Sequence, residues 1–270
     1  MADRLPAPKK HFGQHFLHDA TIIERIVRAI DPRPGDRLVE IGPGQGALTR
    51  PLLHRHGALT VIELDRDLIE PLQTLAGSVG HLEVIHADVL KVDFTRLAGG
   101  GVLRLVGNLP YNISSPILFH ALAYAPRVRD MHFMLQKEVV ERMAATPGSK
   151  VYGRLSVMLQ AYCEVQALFE VPPAAFRPPP QVDSAVVRLL PYAQDAITIV
   201  DRDLFARVVR DAFGQRRKTL RNALASLCDA TAIDAAGLNP GARAEQIAVP
   251  EFITLANHLA RRSAIATAIP

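Results

Sequence analysis

The amino-acid sequence predicts an α/β protein, a doubly wound and largely parallel sheet followed by a small all-α domain. Two observations carry this. Through the first 160 or so residues, short apolar runs alternate with segments of helical period, and beyond about residue 195 only the helical period remains.

The runs Leu38–Ile41, Leu59–Leu64, Leu82–Ile85, Val102–Val106 and Met131–Leu135 read as successive strands. Between them lie candidate helices such as 19–30, where Asp19 can cap the N-terminus and Ile22, Ile23, Ile26, Val27 and Ile30 form one stripe. Two further strands are expected at Val165–Val171 and Ser184–Leu190, separated by PPAAFRPPPQVD, whose prolines exclude regular structure. Then Leu204, Phe205, Val208, Val209, Ala212 and Phe213 mark one amphipathic helix, Leu220, Leu224 and Leu227 a second, and Pro250–Ala260 a last one. The division expected from this is a sheet domain over residues 1–194, with an N-terminal segment at 1–18, and a helical domain over 195–270.

With 270 residues, 49% of them apolar, the chain can bury a substantial core. No apolar stretch approaches the roughly 18 residues of a membrane span, and the N-terminus lacks the apolar core of a signal peptide. A cytoplasmic protein is therefore expected, with no membrane partner. Cys163 and Cys228 stand outside any metal-binding or disulfide spacing and read as small apolar residues. His11, His15, His18 and Asp19 could be imagined around a metal, but Gly13 and the missing helical pattern argue against it, and none is expected. The formal net charge is only +4, yet Arg207, Arg210, Arg216, Arg217, Lys218 and Arg221 face the single acid Asp211 within one short stretch. Such a strip can track phosphates, or be a solvated helix face.

The segment RLVEIGPGQGALTR joins a strand, a glycine turn and a helix start. Glycines let backbone approach a ligand closely, and free amides at the following helix suit a polar group. Glu63 ends the next strand, where a carboxylate can hold ribose hydroxyls, and Asp88 ends the third. The same glycines satisfy the GxGxxA form of the dinucleotide fingerprint, so an NAD-dependent oxidoreductase competes. Two details favour S-adenosylmethionine: Glu40 places an acid near the loop, suited to amino and sulfonium cations rather than pyrophosphate, and acids at successive strand ends suit an adenosine.

After the fourth strand comes Asn108-Leu109-Pro110-Tyr111, at the carboxyl edge beside the ligand crevice. Pro110 holds Leu109 extended, which can aim its carbonyl outward, and Asn108 adds an amide oxygen. Two acceptors can then converge on one exocyclic amine, with Tyr111 as a stacking face for a flipped base. In isolation the same four residues form a strand-ending turn, with Asn108 capping the helix that follows and Tyr111 packed.

With KKHFGQHFL, VEIGPGQGALT, VIELD, HADVL, GNLPYNISSPIL, MLQKEVVERM, FRPPPQVDSAVVRL and FGQRRKTLRNAL, nearly the whole chain resembles the ribosomal RNA adenine N6-dimethyltransferases, most closely the bacterial small-subunit branch. The resemblance implies a Rossmann-like S-adenosylmethionine-dependent methyltransferase sheet with a helical RNA-binding domain. It implies dimethylation of two adjacent adenines in a 3′-terminal hairpin of 16S ribosomal RNA, on a small subunit or its precursor; separately, a monomer is expected. His15 and Leu17 match the segment that closes over the methionine part of the cofactor, although the family often has Asn at the position of His15. Gly42 matches the glycine-loop contact, Glu63 the ribose ligand, Asp88 the adenine-amino ligand, and Asn108 a residue shared by cofactor and target. Leu109 and Tyr111 inherit base-binding roles. Phe176 matches an aromatic that helps hold the base, its alternative being a loop anchor at the sheet edge. Lys9, Lys10 and the basic strip read as phosphate contacts. A relative acting on another RNA, and a non-catalytic RNA-binding assembly factor, are the remaining alternatives.

Overall fold

The computed structural model describes residues 14–77, 79–193, 198–215 and 217–268. Lys9, Lys10, His11 and Arg216 lie outside the described residues. The chain forms two compact units, one of residues 1–140 and 166–191, the other of 141–165 and 192–270.

The first unit is built on strands that come in pairs with helices. Asp19 caps α1 (Ala20–Ile30), its carboxylate accepting from the amides of Thr21 and Ile22 at 2.9 and 3.0 Å. Ile26, Val27 and Ile30 bury the helix's apolar stripe in the core, as the spacing predicts. There follow β2 (Arg37–Ile41), α2 (Thr49–His56), β3 (Ala58–Glu63), α3 (Ile69–Ala76) and β4 (His81–His86). Then come α4 (Phe94–Ala98), β5 (Leu103–Asn108), α5 (Ser114–Ala123), β6 (Val128–Gln136) and α6 (Lys137–Met143). The last strands are β7 (Cys163–Val171) and β9 (Ser184–Pro191).

The seven strands are ordered β4-β3-β2-β5-β6-β9-β7. The pairs β3–β4, β2–β3, β2–β5 and β5–β6 are parallel, and β9 lies antiparallel against β6. The strand order reverses beside β2, where a doubly wound sheet opens a crevice at its carboxyl edge. A second sheet, absent from the sequence reading, pairs β1 (Phe16–Leu17) with β8 (Phe176–Arg177).

The otherwise apolar run from 102 to 106 carries Arg104, and the fold buries its guanidinium. Arg104 donates from Nε to Asp130 at 2.9 Å and from Nη1 to Asp36 at 2.6 Å and to the Asp31 carbonyl at 3.1 Å. A buried cation is tolerated only when paired and hydrogen-bonded in this way.

In the second unit, α7 (Arg154–Gln160) packs on α8 (Arg202–Gly214), and α8 on α11 (Val249–Ala268). Residues 141–165 thus belong with the helices, although the sequence reading placed them in the sheet domain. Leu155, Val157 and Leu159 of α7 are buried, an apolar surface that needs helical partners of its own. Beyond α8, Leu220 starts a single turn, α9 (Leu220–Ala223), and a short α10 (Ala230–Ala235) follows. The last helix runs longer than its periodicity suggested. Cys163 is buried, with its thiol pushed up to about 12 by burial, and both cysteines are free thiols.

Candidate active site

A cavity opens at the carboxyl edge of the first unit, lined by the ends of β2 to β5 and by residues 14–17. His15, Leu17, Gly42, Glu63, Asp88, Asn108, Leu109 and Tyr111, eight of the nine residues to which the resemblance gives a cofactor or base role, line it together. Each parallel strand delivers its last residues to the same edge, which is why positions scattered from 15 to 111 converge.

The glycine turn after β2 has positive φ at Gly42, Gly44 and Gly46, a backbone that side chains resist. At Gly44 there is a second reason, because a Cβ there would stand 3.0 Å from the Phe16 ring. The Gly44 amide donates to Glu63 Oε2 at 3.1 Å, and the Gly46 amide to the Pro43 carbonyl at 2.9 Å. Two of the amides that a pyrophosphate would need are therefore already engaged, which disfavours a dinucleotide.

Glu63 is 6% exposed. Burial raises its carboxyl above the usual range against the backbone amides of Asp65, Gly44 and Leu64, which hold it down. Glu63 Oε1 accepts from Asp65 N at 2.8 Å. With an amide on each oxygen, the carboxylate is fixed in orientation and keeps lone pairs for hydroxyl donors. Asp88 is half-buried, and its Oδ1 accepts from the Leu90 amide at 3.0 Å, which caps the turn at 89–91.

Glu40 departs from expectation. It borders the cavity but is 1% exposed, and Thr49 Oγ1 donates to it at 2.7 Å. Burial pushes its carboxyl up to about 8; the Thr49 bond opposes this and the neighbouring Glu63 adds to it. At neutral pH the group is mostly protonated, so the standing negative charge inferred from sequence becomes a charge available only to a cation that enters.

Asn108 ends β5, and its Nδ2 donates to the His15 carbonyl at 3.0 Å. That bond orients the amide and leaves Oδ1 as its acceptor for a ligand. The Leu109 amide donates to the Met134 carbonyl at 3.1 Å, fixing the backbone at which the Leu109 carbonyl begins. The Leu109 side chain is buried, which leaves its main chain as the part that a ligand can reach. Tyr111 shares a 2.6 Å hydrogen bond with Ser184 Oγ, and burial raises its phenol further while that bond lowers it. The alternative of Asn108 as a helix cap is not what forms, since α5 starts at Ser114 with no side-chain cap.

Phe176, expected beside a target base, is not brought to the cavity. Its ring is 2% exposed among the core side chains, and its backbone pairs with Leu17 in the small sheet. The loop-anchor alternative fits that placement, because an enclosed ring offers no stacking face. Three residues of the site went unassigned in the sequence. Phe16 covers the glycine turn, Ser184 holds Tyr111, and Gln14 Nε2 donates to Asp65 Oδ2 at 3.2 Å. All three lie inside segments that carry the resemblance, Gln14 and Phe16 in GQHFL and Ser184 in FRPPPQVDSAVVRL, but nothing in the residues by themselves marked these contacts.

The walls suit S-adenosylmethionine: carboxylates at the ends of β3 and β4, a buried acid beside the glycine turn, and apolar Ile62, Leu64 and Val89 where an adenine ring needs them. In the second unit Arg207, Arg210, Arg217, Lys218 and Arg221 are exposed, and Arg210 pairs with Asp211 at 2.8 Å.

A family model described as ribosomal RNA adenine dimethylase matches residues 7–261. A protein of Xanthomonas campestris pv. campestris (strain B100), named ribosomal RNA small subunit methyltransferase A, is 70% identical over 249 residues, 92% of this chain and 95% of its own. A solved dimethyladenosine transferase from Plasmodium falciparum aligns with a TM-score of 0.80 and 25% identity, over 92% of this chain and 98% of that one. The 23S rRNA methyltransferase ErmE aligns with a TM-score of 0.70 and 27% identity, over 91% and 99%. Sheet order, the acids at the strand ends and these matches agree, and the chain belongs to the ribosomal RNA adenine dimethylase family.

Proposed function

We propose that the chain is a cytoplasmic, monomeric, S-adenosylmethionine-dependent enzyme that dimethylates N6 of two adjacent adenines in a 3′-terminal hairpin of 16S ribosomal RNA. Its substrate is then the small ribosomal subunit or an assembly precursor. The observation that carries the reading is that Asn108, Leu109 and Tyr111 share one cavity with Glu63 and Asp88.

The cofactor supplies an electrophilic methyl group on a sulfonium. Glu63 is assigned to the ribose hydroxyls, Asp88 to the adenine amino group, Gly42 to close backbone approach, and His15 with Leu17 to closure of the N-terminal segment. Asn108 Oδ1 and the Leu109 carbonyl accept the two N–H groups of the target amine. An adenine amine is a weak nucleophile because its lone pair is delocalised into the ring. Hydrogen bonds accepted from both N–H groups in the first transfer, and from the one that remains in the second, favour a pyramidal nitrogen and direct its lone pair at the methyl group, so the site works mainly by orientation. The alkylated nitrogen is acidic enough to lose its proton to water, and no side chain has to act as a strong base. The exposed arginines of the second unit are assigned to RNA backbone.

Mass spectrometry of ribosomal RNA treated with the purified protein and labelled S-adenosylmethionine tests this. Label in N6,N6-dimethyladenosine at two adjacent 16S positions is expected, and Asn108→Ala lowers transfer by more than about a hundredfold. Label confined to 23S RNA would move the protein to the activity named for ErmE, and no label on adenine N6 would overturn the reading.

A further inference from the structure

The residue ahead of His15 reaches the ribose side of the cavity. Gln14 is half-buried in the cavity wall, and its Nε2 donates to Asp65 Oδ2 at 3.2 Å. Asp65 is 3% exposed and stands outside the cavity lining. Its other carboxylate oxygen, Oδ1, accepts from the Asp67 amide at 3.1 Å, and its own amide donates to Glu63 Oε1 at 2.8 Å. A short path of contacts therefore runs from the N-terminal segment to the acid assigned to the ribose: the Gln14 side chain, the Asp65 carboxylate, the Asp65 amide and the Glu63 carboxylate.

The Gly44 amide on Glu63 Oε2 is placed by the glycine turn. The Asp65 amide is placed by a loop residue in extended conformation, and so by whatever ties its side chain. The Asp67 tie is local, whereas Gln14 lies 51 residues away and brings in a different part of the fold. Asp65 is also an acid beside an acid. Burial is the main cause that raises the Glu63 carboxyl, and the Asp65 charge adds to it. An uncharged donor on Asp65 offsets that repulsion and leaves Glu63 its lone pairs for hydroxyls. At its other end the same segment is fastened by the pairing of Phe16–Leu17 with Phe176–Arg177 and by the His18 amide, which donates to the Ala175 carbonyl at 2.9 Å.

We propose that Gln14 and Asp65 are positioning residues for the cofactor ribose: Gln14 holds Asp65, and the Asp65 amide holds the Glu63 carboxylate in the orientation that receives the ribose hydroxyls. The proposal rests on the methyltransferase reading, which assigns Glu63 to those hydroxyls and His15 with Leu17 to closure of the N-terminal segment. It adds a coupling between the two. The segment that serves the methionine part is fastened to the support of the ribose ligand, so that grip at one end of the cofactor strengthens grip at the other.

Titration calorimetry on the full chain tests this, with S-adenosylhomocysteine and its 2′,3′-dideoxy analogue as the probes. Gln14→Ala is expected to weaken S-adenosylhomocysteine about fivefold, the usual worth of one hydrogen bond, and the dideoxy analogue less than about twofold, because the contact that Gln14 supports is missing there. Equal losses for the two probes overturn the proposal, since a segment that served the methionine part alone would affect both alike. A charge exchange gives a second readout. Gln14→Glu sets a carboxylate against Asp65 and should weaken S-adenosylhomocysteine more than about tenfold. Adding Asp65→Asn turns the donor round while keeping the main-chain amide and an acceptor for Asp67, and should bring affinity back to within about threefold of the parent. A double variant no better than Gln14→Glu overturns the proposal. A parent that methylates RNA yet binds the two probes equally overturns it as well and leaves the activity standing. A parent that binds neither probe overturns the methyltransferase reading with it.

Discussion

Glu40 shows how a single buried acid can tie cofactor, fold and pH together. Its carboxyl is pushed up to about 8 from an ordinary 4.5, mainly by burial. A raised folded-state value means that the folded protein holds a proton which the unfolded chain has released between those two values. The contribution of Glu40 to stability is then complete below about pH 4.5 and is lost as pH rises through 8. Glu40→Gln, neutral at every pH, should remove this dependence, so the melting-temperature gap between variant and parent should shift in the variant's favour by several degrees from pH 5 to pH 9. A gap that stays constant with pH would show that Glu40 does not titrate in this range. A cationic ligand reverses the preference, so binding S-adenosylmethionine near neutral pH should release close to one proton. Calorimetry in buffers of different ionisation enthalpy reads that directly, and Glu40→Gln should abolish it. The sequence displayed Glu40 and its place before the glycines, but a strand residue does not announce how dry its surroundings are. The Thr49 hydroxyl nine residues on became its partner only through the turn between them.

At the level of elements, the sheet rests on close approaches and buried pairs that join distant parts of the chain. Gly107, one residue before Asn108, has no room for a side chain, since a Cβ would stand 2.4 Å from the Ile41 carbonyl oxygen. Gly107→Ala must push β5 away from β2 at the edge where the site is built, and should cost about 3 kcal/mol or more in denaturant unfolding. A loss under about 1 kcal/mol would mean the strands slide apart freely. At the opposite end of the same strand, Asp130 holds Arg104. Burial raises the Asp130 carboxyl, but His132 and Arg104 together hold it below its usual value. Its stabilising effect is therefore present above about pH 3.8 and fades as pH falls. Asp130→Asn should cost about 3–5 kcal/mol at pH 7, with the difference from the parent shrinking in acid. Most strands and α1 were legible because a period of two or 3.6 is local information. Arg104 was not, because its partners Asp36 and Asp130 are 68 and 26 residues away. The short pairing of Phe16–Leu17 with Phe176–Arg177 escaped for the same reason, and with it the enclosure of Phe176. The cavity residues themselves were legible because the carboxyl ends of parallel strands converge by topology, whatever the side chains do.

For the molecule as a whole, the division into units follows packing more than chain order. The composition change near residue 195 marks where strands cease, yet the helical unit also takes in 141–165. A chain ended at Pro191 would keep α7 and lose α8, leaving Leu155, Val157 and Leu159 without their cover. Such a truncation should be recovered mostly in the insoluble fraction or bind a hydrophobic dye strongly; a soluble, monomeric product with the parent's cofactor affinity would count against this account of the units. The sheet order has a further consequence in time. Every residue of β6 from Asp130 to Leu135 is buried, but one of its two neighbours, β9, is the last strand to be made. At about 5–20 residues per second, the roughly 50 residues between them take several seconds to synthesise. Through that interval β6 has a bare edge in the growing chain, and the intervening segment has to fold without closing over it. The catalytic edge is assembled from the strands that come earlier, so the crevice can take shape before the sheet that supports it is complete.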